Sequence, residues 1–203
     1  MILRPTYRYE NKLRRMGYTN IAGADEAGRG AWAGPVVAAA VILPEGLKIK
    51  GLRDSKLLSP DKREKLHIII KKNAVGIGVG IISEKVIDKE GIISATRQAF
   101  LEAIRKLTVE HDYLLVDGTR LFDHGLPHEF VIRGDNKIMS IAAASVIAKV
   151  ARDQILTNYH KNYPEYGFQS HKGYGTRFHR ENLDKHGVSD IHRLSYRPIM
   201  DRY

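Results

Sequence analysis

The sequence predicts an α/β fold, because strand-like and helix-like segments alternate along it. Five short segments rich in β-branched or small apolar residues are bounded by Gly, Pro or charged residues, and they lie at 21–27, 36–43, 74–82, 113–116 and 129–132. The first three follow one another closely enough to form a meander. The last two are separated from them by a helical segment, so they require a crossover connection.

A helix is predicted to begin at residue 60 and to run to about residue 72. Ser59 is of the type that caps helix N-termini, and Pro60 suits the first helical position. The residues of this helix expected to face the core are Leu66, Ile69 and Ile70.

Two further helices are predicted. Apolar residues keep helical spacing over 93–107, and Asp135 is expected to cap a long helix over 136 to about 159. Residues 1–160 therefore read as one core, and residues 161–203, rich in His, Arg, Tyr and Gly, as an attached C-terminal region.

The charge balance favours a polyanionic partner. The 203 residues include 33 Lys and Arg against 23 Asp and Glu, for a net charge of +10. Nucleic acid is the partner that such an excess suggests, and a merely solubilising basic surface is the alternative. Because the sequence has no cysteine, any bound metal must rest on carboxylates, imidazoles or backbone oxygens.

The sequence is interpreted as that of a cytoplasmic protein. Residues 1–10 lack the apolar core of a signal peptide. The longest apolar stretch, residues 35–44, is about half of a membrane span.

Two of the predicted strands end in carboxylate residues. Asp25 and Glu26 run directly into a glycine-flanked loop, and neighbouring side chains converge easily only where a strand ends. Asp117 follows the fourth strand and precedes Gly118. Ligands of open α/β sheets gather at such ends. Taken singly, each group is more typical of a solvated turn or an Asp-Gly turn.

A fourth acid, Asp153, lies on one face of the long helix with Ser145 and Lys149, at steps of four residues. An ordinary ion pair with Lys149 is the alternative role for it. Together the four carboxylates could hold two hard divalent ions ~4 Å apart, an arrangement suited to phosphodiester hydrolysis.

Several sequence blocks resemble those of the ribonuclease HII family, in the same order. They are GADEAGRG (23–30), GPVVAAA (34–40), DSKLLS (54–59), VDG (116–118), AASVIAKVARD (143–153), HKGYGT (171–176) and HRLSY (192–196). The resemblance extends from about residue 21 to residue 198, so it covers the whole predicted domain.

The resemblance implies a ribonuclease H-like fold with a mixed five-stranded sheet, helices on its faces and a helical C-terminal region. It implies that the four carboxylates bind Mg²⁺ or Mn²⁺ and that the enzyme cuts RNA–DNA hybrids and DNA containing single ribonucleotides. The residues implied to contact substrate are Gly28, Arg29, Gly30 and Tyr174, and Lys56 is a further candidate for backbone contact because it lies in the DSKLLS block. The loop glycines and Arg29 would read the ribose 2′-hydroxyl and flanking phosphates, and Tyr174 the next sugar.

Other basic residues are weaker candidates for binding. Lys149, His171 and Lys172 could contact the nucleic-acid backbone, but most exposed cations of a basic protein only solvate its surface. The histidines of the C-terminal region are irregularly spaced and match no zinc motif, so a zinc site is not expected.

Other nucleases and a non-catalytic binding module are the alternatives to a ribonuclease HII. Ribonuclease HI or a junction resolvase would share the acids but not the Gly28-Arg29-Gly30 loop. The ribonuclease HIII group carries Glu at the fourth acid and an extra N-terminal domain, whereas residue 153 here is Asp and about 20 residues precede the first motif. A basic binding module with structural carboxylates would bind hybrids without cutting them. A monomer is the default oligomeric state.

Overall fold

The computed structural model describes residues 4–202. Its central sheet has the order β3-β2-β1-β4-β5. The strands are β1 (Ile21–Ala27), β2 (Val36–Ile42), β3 (Gly76–Ile82), β4 (Tyr113–Asp117) and β5 (His128–Val131). β1, β2 and β3 form the antiparallel meander, and β4 and β5 add in parallel beside β1. The mixed five-stranded sheet and its connections are thus confirmed.

Helices cover both faces of the sheet. The helices are α1 (Arg8–Arg15), α2 (Pro60–Asn73), α3 (Glu84–Arg105), α4 (Met139–Asn162), α5 (Phe168–His171), α6 (Arg177–His186) and α7 (Arg197–Met200). One apolar cluster joins α2 and α4 to one face, and a second joins α3 to the other. The sheet is therefore buried on both sides, which explains why β2 is apolar throughout.

Small residues let the helices lie directly on the sheet. A Cβ at Gly23 of β1 would lie 2.3 Å from the backbone carbon of Ser140 in α4. A Cβ at Gly80 of β3 would lie 2.0 Å from the Ala99 carbonyl oxygen in α3. Such contacts leave no space for a side chain, so these glycines set the distance between the layers.

The prediction for α2 is corrected in two respects. Ser59 occupies the N-cap position, but its side chain makes no capping hydrogen bond. Leu66 and Ile70 are buried as expected, whereas Ile69 is 41% exposed. Ile69 and Ile70 are consecutive, and a helix turns about 100° per residue, so only one of them fully faces the core.

The helix predicted over 93–107 is present as the second part of α3, whose backbone is not helical at Gly91, where φ is +81°. The part of α3 before Gly91, which begins at Glu84, was not predicted. Asp135 does not cap α4, because it lies in a 3-10 turn (Gly134–Asn136) and Ile138 holds the N-cap position. The short polar side chain of Asp135 suggested a cap, but it points into the acid cluster described below.

The region after α4 builds its own small core against the end of that helix. Ala33 and Leu156 are the residues of the main domain that pack into this small core. The buried side chains that complete it are Tyr166, Phe168, Leu183, Ile191 and Ile199. Within residues 4–202, no helix is both long and apolar enough to cross a membrane.

Candidate active site

Asp25 and Glu26 lie within β1, at the point where its pairing with β4 stops. The parallel pairing ends at Ala24 opposite Val116, while the antiparallel pairing with β2 continues to Ala27. One edge of β1 is therefore open beside the two acids. Asp25 is buried, and its Oδ1 accepts a 2.7 Å hydrogen bond from the Glu26 amide.

Asp117 comes to the same place from the neighbouring strand. It is the last residue of β4, and its Oδ1 accepts a 2.6 Å hydrogen bond from the Gly134 amide. Because β1 and β4 are parallel neighbours, their carboxyl ends meet. The structure thus brings Asp25, Glu26 and Asp117 together, as the sequence predicted.

The cluster is strongly anionic. Burial raises the pKa of Asp25 well above its usual range, and the charges of Glu26, Asp117 and Asp135 raise it further. Burial also raises the pKa of Glu26, against the opposing effect of Arg29. Buried like charges repel one another, so this cluster favours a bound cation.

Two acids of this cluster were missed from the sequence. The pKa of Asp135 is raised by burial and by the nearby charges of Asp54 and Asp117. Asp54 begins a 3-10 turn (Ser55–Leu57), and its Oδ1 accepts a hydrogen bond from the Lys56 amide. The available signal was that Asp54 lies in the DSKLLS block and that Asp135 closely follows the fifth strand.

Lys56 faces this acid cluster. Its burial opposes the charged form, but Asp25, Asp54, Asp135 and Glu26 together raise the pKa of the ammonium. The side chain is exposed at the same time. Lys56 is therefore a charged group at the mouth of the site, as a phosphate contact would require.

Asp153 is held by two cations. Lys149 lies 2.6 Å from its Oδ1, and Arg63 of α2 lies 3.1 Å from its Oδ2. The ion pair with Lys149 that the sequence offered as an alternative is present, but both side chains are largely buried. Ser145, on the same face of α4, lies beside Asp25 and connects this helix to the acid cluster. Its hydroxyl also lies 2.9 Å from that of Ser55.

The donor set fits hard divalent cations. Within residues 4–202, no three or more His, Asp and Glu side chains stand at the spacing of a preformed metal site. The carboxylate oxygens of buried Asp25 and half-buried Asp117 nevertheless supply the ligand type that Mg²⁺ and Mn²⁺ prefer. Burial and the neighbouring carboxylates both raise the pKa of Asp25, and a bound cation would relieve both effects.

The loop after β1 is fixed by buried arginines. Gly28 has φ +96° and lies against Arg152 of α4. The Arg29 carbonyl accepts hydrogen bonds from Arg193 at 3.0 Å and from the Tyr196 hydroxyl. The Arg29 side chain pairs with Glu26 at 3.3 Å.

Gly30 differs from Gly28 in its surroundings. A Cβ there would have no heavy atom within 4 Å, and its φ lies outside the left-handed range. The fold itself therefore does not demand glycine at position 30.

Tyr174 stands beside the glycine loop, because its segment is bonded to the same part of the chain. The Trp32 amide donates to the Gly173 carbonyl at 2.8 Å, and Arg152 donates to the Lys172 carbonyl at 2.9 Å. The Tyr174 ring lies 5.7 Å from the Lys149 ammonium and 5.4 Å from the Arg152 guanidinium carbon.

The sequence did not single out Arg152 or Arg193 as structural residues. Both are fully buried, and Arg152 donates to the carbonyls of Ala33, Pro35 and Lys172. The signal lay in the AASVIAKVARD and HRLSY blocks, but charged residues read as exposed unless their partners are known.

The weaker candidates among the basic residues are not free. His171 is buried and bonded to the Tyr166 carbonyl, Lys149 is paired with Asp153, and the Lys172 ammonium donates to Thr157 and Gln169. Their proposed contacts with the nucleic-acid backbone would require these bonds to break.

The strand order, the helices on both faces of the sheet and the acids on adjacent strands together define a ribonuclease H-like fold. The structure is similar to that of ribonuclease H2 from Pyrococcus horikoshii OT3, with a TM-score of 0.76, 25% identity and coverage of 90% of this chain and 96% of that one. It is also similar to ribonuclease HII of Archaeoglobus fulgidus, solved in a complex with PCNA (TM-score 0.75, 26% identity, coverage 88% and 95%). A ribonuclease HIII structure with Mn²⁺, at 15% identity, shares the fold (TM-score 0.69).

The sequence comparisons then specify the family. The model of the family described as Ribonuclease HII matches residues 22–199. Ribonuclease HII of Bacillus mycoides and that of Bacillus anthracis are each 52% identical over 194 residues, which is 96% of this chain and 75% of the relative. The chain belongs to the ribonuclease HII family and is a divalent-metal-dependent ribonuclease H endonuclease, a hydrolase that acts on RNA–DNA hybrids. This excludes ribonuclease HI, a resolvase and a mere binding module.

Proposed function

We propose that this endonuclease cuts the RNA strand of hybrids and also cuts on the 5′ side of a single ribonucleotide in duplex DNA. The products carry 3′-hydroxyl and 5′-phosphate ends. The observation that carries the proposal is the fixed position of the 28–30 loop directly after Asp25 and Glu26. A loop so close to the acids can read a 2′-hydroxyl only next to the bond that is cut.

The catalytic and metal-binding residues in this proposal are Asp25, Glu26, Asp117 and Asp153. When bound, two divalent ions, Mg²⁺ or Mn²⁺, would activate the attacking water and neutralise charge on the leaving oxygen. Asp153 starts in ion pairs with Lys149 and Arg63, so it joins the site by exchanging one of those partners.

Substrate recognition is assigned to Gly28, Arg29, Gly30, Lys56 and Tyr174. The open space around Gly30 lets backbone approach the sugar, and Arg29 and Lys56 suit the flanking phosphates. The Tyr174 hydroxyl has no hydrogen-bond partner within residues 4–202, so ring and hydroxyl are both available to the next sugar. Residues 161–203 thereby complete the substrate site built on the 1–160 core.

We infer a monomer in the cytoplasm, acting during DNA replication and repair. The basic surface, with a net charge of +10, provides affinity for the duplex. The complex with PCNA belongs to the archaeal relative.

Three labelled duplexes test the proposal: one with a single ribonucleotide, one all-RNA hybrid and one of DNA alone. With Mg²⁺ or Mn²⁺, we expect cleavage of the first two, and a product boundary on the 5′ side of the single ribonucleotide. Cleavage on its 3′ side, or only within runs of RNA, would show that the substrate assignment is wrong.

Tyr174 variants test the recognition step separately. Tyr174→Ala should lower the rate on the single-ribonucleotide duplex by about 100-fold, the loss typical of a misplaced substrate. Tyr174→Phe keeps the ring and removes the hydroxyl, so it separates sugar packing from hydrogen bonding. Full activity of Tyr174→Ala would remove Tyr174 from the site.

A further inference from the structure

Three irregularly spaced histidines of the C-terminal region, His171, His179 and His192, meet beneath the Tyr174 segment. The rings of His171 and His179 stack with centroids 4.4 Å apart, and the Nε2 atoms of His179 and His192 are 3.0 Å apart. All three side chains are buried. The irregular spacing of these residues gave no indication that they converge.

The hydrogen bonds fix which nitrogen of His192 and His179 carries the proton. The Ser189 amide donates to Nδ1 of His192 at 2.8 Å, so that nitrogen is an acceptor and His192 carries its proton on Nε2. His192 Nε2 therefore donates to Nε2 of His179. His179 must then carry its proton on Nδ1, which donates to the Tyr174 carbonyl at 3.0 Å.

His171 holds the other side of the same segment. Its Nε2 donates to the Tyr166 carbonyl at 2.7 Å, and its Nδ1 accepts from the Gly173 amide at 3.2 Å. Each of the three rings thus has one donor and one acceptor in use, as a neutral imidazole requires. A second proton on His179 would place two N–H groups face to face at Nε2.

Burial and the neighbouring imidazoles agree with this neutral state. Burial, together with the neighbouring His171 and His192, lowers the pKa of His179 to about 3. Burial likewise lowers the pKa of His192 to about 4. The network is fully satisfied and rigid, and one of its ends is the backbone of the tyrosine assigned to the substrate sugar.

We propose that His179 is a positioning residue, which fixes the Tyr174 backbone, and hence the ring, through the chain Ser189–His192–His179–Tyr174. The inference rests on the proposed role of Tyr174. His179 contacts no reacting atom, so it affects cleavage only by fixing the position of the Tyr174 ring.

Two polar variants separate the two bonds of His179. In His179→Asn the amide lies near the position of Nδ1 and can still donate to the Tyr174 carbonyl. In His179→Gln the amide lies near Nε2 and keeps the His192 side instead. We expect His179→Gln to lower kcat on the single-ribonucleotide duplex by about 10-fold or more with little change in KM, and His179→Asn to retain most of the rate.

His186 supplies the matched control. It is an exposed histidine of the same helix, α6, two turns further along, and His186→Gln should leave kcat unchanged. Circular dichroism and Tm establish that all three variants are folded. Equal losses in His179→Gln and His179→Asn would contradict the positioning role.

A double-mutant cycle tests whether His179 acts through Tyr174. The double variant His179→Gln/Tyr174→Ala should be no slower than Tyr174→Ala alone, because the ring to be positioned is gone. Losses that multiply would overturn the inference.

Hydrogen exchange of residues 172–176 gives a readout without substrate. Exchange should be faster in His179→Gln than in wild type or His179→Asn. If Tyr174→Ala is fully active, the proposed function fails, while exchange still shows whether His179 orders the segment. Unchanged exchange would reject the role of His179 whatever the activity.

Discussion

Gly28 lies so close to Arg152 that a Cβ at position 28 would be 2.0 Å from the Arg152 Nε. The guanidinium cannot move aside, because three backbone carbonyls hold it. Gly28→Ala should therefore lower the free energy of unfolding by about 2–4 kcal/mol, since the clash adds to the cost of φ +96°. Chemical denaturation measures this change.

Gly30→Ala is the matched control for that variant. Because position 30 is open and its φ is allowed for alanine, the free energy of unfolding should change by less than about 0.5 kcal/mol. Cleavage of the single-ribonucleotide duplex should nevertheless fall, since the new methyl group would obstruct the sugar. A stable and fully active Gly30→Ala would place the sugar elsewhere.

Arg152→Lys should destabilise the protein by about 3 kcal/mol. Lysine keeps the charge but cannot reach the carbonyls of Ala33, Pro35 and Lys172 together, and an unpaired buried carbonyl is costly. For a protein of this size the Tm should fall by about 6–12 °C. Arg177→Lys, at an exposed ion pair with Glu181, serves as control and should leave Tm nearly unchanged.

Asp117→Asn should reduce turnover by more than about 100-fold, because substitutions merely adjacent to a metal ligand already cost 10–100-fold. The amide is nearly isosteric, so Tm and hybrid binding should stay close to wild type. Asp153→Asn is expected to be milder, since that residue is engaged by Lys149 and Arg63. Turnover of Asp117→Asn within a few-fold of wild type would remove it from the metal site.

Lys56→Ala should weaken binding and flatten the salt dependence of hybrid affinity. Each neutralised phosphate contributes a log–log slope of about −0.9 on B-form DNA, so the loss should amount to roughly one contact. Lys72→Ala, an exposed lysine at the end of α2, is the comparison variant. An identical slope for wild type and Lys56→Ala would mean that Lys56 serves only to neutralise the acids around it.

Acid should destabilise the histidine network. His179 and His192 stay neutral in the folded state, with pKa values of about 3 and 4, whereas unfolded histidine titrates near 6.5. The unfolded state therefore binds more protons below pH 6.5, and each histidine should cost about 2 kcal/mol by pH 5. The titratable side chains facing the pair are His171 and Tyr166.

The contribution of His179 is obtained by difference. Urea denaturation of wild type and His179→Asn at pH 7 and pH 5 should show a smaller loss in the variant, by about 2 kcal/mol. Comparing the two proteins cancels the opposite effect of the buried carboxyls, whose raised pKa values favour the folded state in acid. Equal losses would show that His179 is protonated in the folded protein at pH 5.

The sheet could be predicted because each strand has a local sequence signal, a run of β-branched or small apolar residues between glycines, prolines or charged residues. The convergence of Asp25, Glu26 and Asp117 followed from parallel pairing and recognisable motifs. Asp135 could not be assigned, because a cap and an acid of the cluster look alike in sequence.

The burial of Arg152 and Arg193 could not be predicted for a related reason. Arg152 is stabilised in the interior by hydrogen bonds to carbonyls up to 119 residues away, and no local sequence pattern identifies such distant partners.

The bond between Arg193 and the Arg29 carbonyl spans 164 residues of chain. The strand that carries Asp25 and Glu26 pairs with its close neighbour β2, whereas the loop proposed to read the sugar is fixed by a contact across most of the sheet and helices. Contacts between residues far apart in sequence form late in folding, because they require closure of a long loop of chain. We therefore expect a folding chain to order its acids before it orders the loop proposed to distinguish ribose from deoxyribose.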